Sequence, residues 1–218
     1  MQGQGNRYQV RIRGELACFT RPEFKTERIS YEVITPSAAR GILEAILWKP
    51  AIQWHVRRIL LLAPSRFVQF KRNEVTKRAS VANAQKAMRG GDSVDYYADE
   101  DRAQRNTLAL RDVDYAVEAE FKMTAQQGAA DSPRKFDEMF RRRLEKGQFH
   151  MQPYLGCREF PAIVEPYFGS PPPLKSESLE LGLMLHDLRY SARGNQPVFF
   201  NAHLREGVIE VPEWEATQ

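Results

Sequence analysis

Hydrophobic and polar residues alternate along several parts of the chain, and this period of two is typical of a β-strand with one buried face. Residues 8–19 (YQVRIRGELACF) and 107–124 (TLALRDVDYAVEAEFKMT) show it most clearly. Residues 51–75 combine β-branched and aromatic residues with alternating Arg and Lys. We predict two long strands there, forming a protruding hairpin with a bend near Pro64 and Ser65.

A different spacing, with apolar residues three and four positions apart, predicts two helices. In the first helix, Thr35 can act as the N-cap, Pro36 is the first helical residue, and Pro50 ends the helix. Its apolar face consists of Ala39, Ile42, Leu43, Ile46 and Leu47. Arg40 lies opposite that face, where it would meet either a nucleic acid or solvent.

The second helix has Ser132 as its N-cap and Pro133 as its first helical residue, and Gly147 fits its C-cap. Its inner face consists of Phe136, Met139, Phe140 and Leu144. The outer face is basic and includes Arg141. The capping residues and the spacing together predict an amphipathic helix.

Two cations begin this second helix. Arg134 and Lys135 lie in its first turn, where the helix dipole disfavours positive charge. The free backbone N–H groups of a helix start can bind an anion, and these cations would strengthen such a site. An ordinary exposed helical lysine is the alternative interpretation of Lys135.

A second concentration of positive charge lies earlier in the chain. Residues 51–90 hold nine Lys or Arg and a single acid, Glu74. Arg72, Lys77 and Arg78 are central to this segment. Such a density suits a polyanion partner, although a solvated basic face has the same composition.

The order of predicted elements matches a ferredoxin-like sheet of two βαβ units with an extended β-hairpin, so the fold class is α+β. It requires residues 153–164 as a further strand, and residues 76–106 are predicted to form a long loop. After Pro166 come a Pro- and Ser-rich linker and three short strand candidates. We therefore predict domains at 1–166 and 167–218, the second a small antiparallel β subdomain.

The overall composition is that of a globular protein, with 42% hydrophobic residues among 218. No apolar run approaches the roughly 20 residues of a transmembrane helix. The N-terminus lacks the apolar core of a signal peptide, and we expect a cytoplasmic protein. Cys18 and Cys157 have no CxxC spacing, which favours buried small hydrophobic residues over zinc ligands.

Several enzyme classes lack their motifs in this chain. The sequence contains no P-loop, GxGxxG, HExxH or GxSxG motif. The acidic run at 99–101 has no spaced partner, and we interpret it as solvated. We therefore predict no metal site and no cofactor.

RNA cleavage without a metal needs a base for the 2′-hydroxyl, an acid for the leaving 5′-oxygen and cations for the phosphorane.

The candidate catalytic residues are Lys135, His150 and Tyr154. Lys135 could stabilise the phosphorane. His150 and Tyr154 follow the second helix in a glycine-containing loop, and for His150 a catalytic and a structural role are both open. The other histidines, His55, His186 and His203, lie in predicted strands, where structural histidines are more common.

Three segments resemble the type I-C member of the CRISPR-associated Cas family five, often called subtype d: ISYEVITPSAARGILEAILWKP, DYYADEDRAQRNTLALRDVDY and RRRLEKGQFHMQPYLGCREFPA. The resemblance covers residues 8–168 in order and is looser beyond them. It implies an RRM-like ferredoxin fold with a C-terminal β extension. It also implies a metal-independent endoribonuclease that cuts precursor CRISPR RNA at the base of each repeat hairpin.

The same resemblance implies the partners of the protein. The cut RNA stays bound, and the protein becomes a subunit of the type I-C interference complex that holds the 5′ handle of the guide. The expected partners are the repeat hairpin and the other subunits of that complex. Because of the positive charge, we also expect non-specific binding to duplex DNA. We expect no membrane partner. The predicted RNA-binding residues are Arg40, Arg72, Lys77, Arg78, Arg134 and Arg141.

Two positions depart from the pattern of the family. Its members carry a tyrosine before the Trp-Lys-Pro that ends the first helix, where this chain has Leu47. They carry a Lys-His pair at the start of the second helix, where this chain has Lys135 and Phe136. Neither a leucine nor a phenylalanine can exchange protons.

Three outcomes follow from this departure. In the one that we favour, His150 or Tyr154 acts as acid or base while Lys135 stabilises the phosphorane. In the second, the protein is a slow enzyme that acts by positioning and electrostatics. In the third, cutting is lost and the protein is a non-catalytic scaffold subunit that binds crRNA or DNA.

Overall fold

The structure is a computed structural model, and it describes residues 7–24, 26–76, 79–91, 97, 99–189 and 194–213. The helices are α1 (Pro36–Ile46), α2 (Val81–Met88) and α3 (Pro133–Glu145). The strands are β1 (Tyr8–Ala17), β2 (Arg28–Ile29), β3 (Ile52–Leu61), β4 (Arg66–Val75), β5 (Arg102–Met123), β6 (Ile163–Pro166), β7 (Leu179–Arg189), β8 (Gln196–Leu204) and β9 (Val208–Glu210).

Strand β5 organises the main sheet, whose order is β6-β1-β5-β3-β9. Its C-terminal half lies between β1 and β3, where Val117 is paired with both Val10 and Ile59. Its N-terminal half extends beyond them and pairs with β4 and, in parallel, with the short β2. Every other pairing in this sheet is antiparallel. The chain is therefore a mixed α/β protein with a mostly antiparallel sheet.

The two longer helices pack on one face of this sheet. Helix α1 precedes β3 and α3 precedes β6, and the two helices contact each other. Aromatic rings fill the space between α3 and the sheet, with the Phe140 ring centroid 4.5 Å from that of Trp54 and 4.9 Å from that of Tyr8. The core is thus a layer between two helices and one sheet.

Both helices begin where the sequence predicts. The Thr35 hydroxyl accepts a hydrogen bond from the Ala38 N–H at 3.2 Å, and the Ser132 hydroxyl accepts one from the Lys135 N–H at 3.3 Å. The predicted inner face of α3 is confirmed, with Phe136, Phe140 and Leu144 buried and Met139 partly buried. Both cysteines are buried and free, as predicted.

The strands predicted within 51–75 exist as β3 and β4, but they do not pair with each other. Strand β4 pairs along its whole length with β5, so the extended hairpin is β4–β5. The predicted loop at 76–106 was wrong in two respects, because it contains α2 and the first residues of β5. Residues 102–106 are polar apart from Ala103, and their pairing with β4 makes them a strand.

Two further strand predictions need correction. Residues 153–162 form a compact loop with one isolated bridge, Tyr154 to Pro161, and the strand β6 begins only at Ile163. Of the three C-terminal candidates, β7 and β8 form a separate two-stranded sheet, whereas β9 joins the main sheet beside β3. The division into domains at residue 167 stays a prediction.

The described part of the chain contains no helix with the length and apolar character needed to cross a membrane.

Candidate functional site

The first turn of α3 places Lys135 beside an acid. The Lys135 ammonium donates to Asp131 at 2.9 Å, and it lies 5.6 Å from the centre of the Phe136 ring. Lys135 is exposed, since 47% of its side chain is accessible to solvent. The predicted cation at the helix start is therefore present on the surface, and it is held by a carboxylate one turn before it.

A second lysine approaches the same carboxylate. Lys49 lies in the turn after α1, and this turn is tied to the end of β5 because the Thr124 hydroxyl donates to the Pro50 carbonyl at 2.6 Å. The pKa of Asp131 is lowered, first by the hydrogen bond from the Gly128 N–H, then by Lys135, with a contribution from Lys49. Two cations and one anion thus make a net positive surface group.

The two positions that depart from the expected pattern lie in the core. The side chain of Leu47 is completely buried, and its carbonyl accepts a hydrogen bond from the Trp54 indole at 2.9 Å. Phe136 is 2% exposed and packs edge-on against Phe121 at 6.4 Å between ring centres. Both side chains are part of the apolar packing, and neither can take part in proton transfer.

His150 lies at the opposite end of α3 from Lys135. Its backbone N–H donates to the Ala45 carbonyl at 2.9 Å, and Arg143 in the last turn of α3 donates to the neighbouring Ile46 carbonyl at 2.7 Å. Lys135 and the end of α3 are separated by about 15 Å along the helix axis. A shared proton transfer between Lys135 and His150 therefore has no support from this arrangement.

Tyr154 lies in a third place. It lines a cavity of about 380 Å³ together with residues of α1 and β7, including Ser37, Gly41 and Leu185. Lys135 is not among the lining residues. The structure thus gives the three candidate catalytic residues three different surroundings.

The two other predicted cations of α3 form ion pairs within the helix. Arg134 pairs with Glu138 at 2.8 Å and is 88% exposed, and Arg141 pairs with Asp137 at 2.9 Å. The Arg141 guanidinium also lies 5.2 Å from the centre of the Tyr8 ring. Pairs of this kind are weak in water, so both arginines remain able to contact a phosphate.

Arg40 has a different environment from the one predicted. Its guanidinium pairs with Glu44 and, at 2.7 Å, with Asp187 of β7, and only 17% of its side chain is exposed. Asp187 also accepts a hydrogen bond from the Leu188 N–H at 2.7 Å. These contacts attach the β7–β8 sheet to α1. They also neutralise the positive charge of Arg40, which a nucleic acid would otherwise bind.

Arg72 is engaged in a network near the loop end of the β4–β5 hairpin, where it pairs with Arg105. It pairs with Glu74 and Glu159, and Arg28 pairs with the same two acids. The network joins the hairpin to the loop at 153–162. Lys77 and Arg78, the other predicted RNA-binding residues of this segment, lie outside the described residues.

Two of the histidines interpreted as structural lie in partly buried surroundings. Burial, with Lys122 and Arg57 nearby, lowers the pKa of His55 from its ordinary value of 6.5 to about 4. His186 shares a hydrogen bond with the Pro212 carbonyl at 2.9 Å. Within the described ranges, no group of three His, Cys, Asp or Glu residues could hold a metal ion.

Lys49 was not identified from the sequence as a site residue. It lies 86 positions before Lys135, and no periodicity links them. The pairing of β3 with β5 brings them together, because it sets the turn after α1 beside the segment that leads into α3. The only signal in the sequence was the Trp48-Lys49-Pro50 that ends the first resembling segment.

The sequence matches the family model Cas_Cas5d, described as CRISPR-associated protein (Cas_Cas5), over residues 8–212. The chain belongs to this family. A Cas5d relative from Mannheimia succiniciproducens, named CRISPR pre-crRNA endoribonuclease Cas5d, is 46% identical over 98% of both chains. A protein of the same name from Thermus thermophilus is 43% identical over 94% of this chain and 91% of its own length.

Solved structures agree with the Cas5 assignment at the level of the fold. A structure described as a CRISPR-associated protein has a TM-score of 0.69 at 22% identity and covers 97% of this chain and 95% of its own. The protein SMU1763c from Streptococcus mutans has a TM-score of 0.69 at 21% identity, with 96% and 93% covered. A chain of a CRISPR RNA-guided surveillance complex has a TM-score of 0.50 at 11% identity, with 94% and 88% covered.

Proposed function

We propose that this Cas5d protein is an endoribonuclease that cuts precursor CRISPR RNA. The observation that carries the proposal is the 46% and 43% identity, over nearly the whole chain, to two proteins that bear the name CRISPR pre-crRNA endoribonuclease Cas5d. Similarity of this extent covers the sheet, both packing helices and the α3 start. The proposed cut lies at the base of the repeat hairpin.

We further propose that the main sheet is of the ferredoxin-like, RRM-like type. Taken in chain order, β1, β3, β5 and β6 are the first to fourth strands of two βαβ units, and in the sheet they lie in the order four, one, three, two. Helices α1 and α3 lie on one face, and on the other face Leu60 and Ala116 are buried in a cluster with Tyr167, which leaves the β4–β5 hairpin for partners. Residues 167–218 are proposed to add a smaller β unit to this sheet.

The proposed reaction centre is the cation group at the start of α3. Lys135 is hydrogen-bonded to Asp131 and the charge of Lys49 acts on the same carboxylate, and the scissile phosphate would take the place of that carboxylate. The 2′-hydroxyl attacks the phosphorus, and the bond from phosphorus to the 5′-oxygen breaks. The two ammonium groups stabilise the additional negative charge of the phosphorane. His150 lies at the far end of α3 and Tyr154 lines a separate cavity, so in this proposal water takes the proton of the 2′-hydroxyl and supplies the proton of the leaving 5′-oxygen.

Purified protein incubated with labelled cognate repeat RNA in EDTA tests this function. A single cut at the hairpin base supports a metal-independent endoribonuclease. A 2′-deoxy substitution at the scissile nucleotide is the matched control, and it abolishes the cut because the nucleophile is gone. Continued cutting of the deoxy substrate would exclude attack by the 2′-hydroxyl.

A second function, a non-catalytic subunit that binds crRNA or DNA, is favoured by one observation. Leu47 and Phe136 are both buried in the core, where the family pattern has proton-carrying residues. Tight binding of the repeat without any cut would establish this function instead. In both cases we propose that the bound RNA, with the other subunits of the type I-C interference complex, is the partner, and that duplex DNA binds without sequence preference.

A further inference from the structure

Gly41 is an unexplained glycine in the middle of α1. Glycine is, after proline, the least favourable residue in a helix interior. A Cβ atom built at Gly41 meets no atom within 4 Å, so close packing does not require the absence of a side chain. The backbone of Gly41 is helical and does not require a glycine either. The glycine instead keeps a space open beside the helix.

That space is the cavity of about 380 Å³ described above for Tyr154. Its apolar lining comes from α1, from the end of β1 and from β7: Phe19, Ala38, Ile42, Ala45, Leu185 and Leu188. The lining also includes four residues that carry a hydroxyl group: Thr20, Thr35, Ser37 and Tyr154. Of the described residues that line the cavity, none has a charged side chain.

The walls of the cavity are held by contacts outside it. Gly156 adopts a φ of +81°, and a Cβ there would lie 2.1 Å from the Cys18 carbonyl oxygen, so the Tyr154 loop packs directly against the end of β1. The Leu155 carbonyl accepts a hydrogen bond from the Cys18 N–H at 3.0 Å. On the other side, the ion pair of Arg40 with Asp187 holds β7 against α1. The cavity is therefore preformed.

The lining chemistry defines the ligand. The lining offers a phosphate no cationic side chain to pair with, whereas apolar walls with hydroxyl-bearing residues suit a flat, neutral, polar-edged ring. The size lies within the roughly 300–1,000 Å³ of ordinary ligand sites and accommodates one heterocycle. A nucleobase that has left its stack has this chemistry, because its faces are apolar and its edge carries donors and acceptors.

We propose that this cavity binds a single unstacked nucleobase of the bound RNA, with Gly41 as the opening and the Tyr154 hydroxyl as a contact to the base edge. The inference rests on the proposed function, since it takes the RNA to be the ligand of this protein. It assigns Tyr154 to recognition of a base and not to proton transfer at Lys135. It makes one nucleotide of the repeat more important for affinity than its neighbours.

The test is a scan of the repeat RNA with one abasic nucleotide at a time, each RNA carrying the 2′-deoxy scissile nucleotide so that it stays uncut. We expect the affinity of the wild-type protein to fall about tenfold at one single-stranded position. In Gly41→Leu, whose side chain takes up part of the cavity at its opening, we expect the intact RNA to bind about tenfold more weakly and the abasic nucleotide at that position to have no further effect.

Two variants control this experiment. Ala84→Leu adds the same side chain to the exposed surface of α2, and we expect it to keep the wild-type abasic profile. Tyr154→Phe removes only the hydroxyl, and we expect about fivefold weaker binding of the intact RNA with no change for the RNA that is abasic at the selected position. If Gly41→Leu has a lowered melting temperature, its weaker binding could come from lost stability, and the result for Tyr154→Phe then tests the base site.

Tight binding with the same abasic profile in wild type, Gly41→Leu and Tyr154→Phe would overturn the cavity as a base site and leave the proposed function standing. A wild-type protein that neither binds nor cuts the repeat RNA would overturn the proposed function and this inference together.

Discussion

Lys135 donates a hydrogen bond from its ammonium to Asp131 at 2.9 Å, one turn before it in the chain. Among the described residues, Lys135 is the only predicted catalytic residue at the start of a helix, and this contact holds its side chain. Because the charge of Lys49 also acts on the Asp131 carboxylate, two cations are available to an anion that replaces the carboxylate. The first predictions concern this relationship.

Replacing Lys135 by alanine should lower the single-turnover rate of repeat cleavage about 100-fold, because only one of the two cations at the phosphorane remains. Affinity for the uncut 2′-deoxy RNA should change much less. Single-turnover kinetics with labelled RNA measure the first quantity and filter binding measures the second. Lys146→Ala, at the other end of α3, is the matched control, and equal rates in both variants would remove Lys135 from the mechanism.

Replacing Asp131 by asparagine should strengthen RNA binding by about threefold at low salt, since the carboxylate that competes with the phosphate is gone. The effect should vanish at high salt because exposed charges are screened. Binding isotherms at two salt concentrations measure it. A weaker affinity at low salt would mean that Asp131 positions Lys135 and does not compete with the RNA.

Replacing Arg40 by glutamine should lower the free energy of unfolding by about 3 kcal/mol, because Asp187 would be left buried without its cation. Urea denaturation measures this change. Arg134→Gln removes a pair of which the arginine is 88% exposed, and we expect a decrease within about 0.5 kcal/mol. If Arg40→Gln unfolds like wild type but binds RNA less well, the original prediction of an RNA contact is correct.

His55 should make stability depend on pH in one window. Its pKa is lowered in the folded state from 6.5 to about 4, so the unfolded chain binds its proton first as the pH falls. The free energy of unfolding should therefore be highest above pH 6.5 and decrease by about 1–2 kcal/mol toward pH 4, a figure reduced for partial exposure.

Urea titrations across this window measure the slope, and His55→Gln should flatten it because the proton site is removed. A slope that survives in His55→Gln would assign the pH dependence to another group.

Salt dependence separates Arg72 from the two cations that follow β4 in the chain. Neutralising Lys77 and Arg78 together should reduce the slope of log affinity against log salt by about two, one for each phosphate that is no longer neutralised. Arg72→Gln should lower the free energy of unfolding and should reduce the salt slope by less than the double variant does. The reason is that Arg72 already pairs with Glu74 and Glu159. Equal slopes in wild type and the double variant would exclude Lys77 and Arg78 from binding to phosphates.

Much of the fold follows from local signals in the sequence. The caps Thr35 and Ser132 specify the first residues of α1 and α3, whereas α1 ends at Ile46 and not at the predicted Pro50. Such features act within one turn of helix, and their energies do not depend on the rest of the chain. The resemblance of three segments also identified the family, since those blocks retain their residues in order.

Strand partners could not be predicted with the same success. An alternating pattern shows which face of a strand is buried but does not name its neighbour, so β4 was paired with β3 and not with β5. Residues 102–106 have no apolar pattern and become a strand only because β4 satisfies their backbone hydrogen bonds.

The sequence by itself determined that Lys135 begins a capped basic helix and that Leu47 and Phe136 cannot transfer protons. Only the tertiary structure decided that Lys49 joins Lys135 at Asp131, that His150 lies at the far end of α3, and that Gly41 opens onto the cavity of Tyr154. The reason is that helix caps depend on residues a few positions apart, whereas these groupings depend on which distant strands pair and on which face the helices pack.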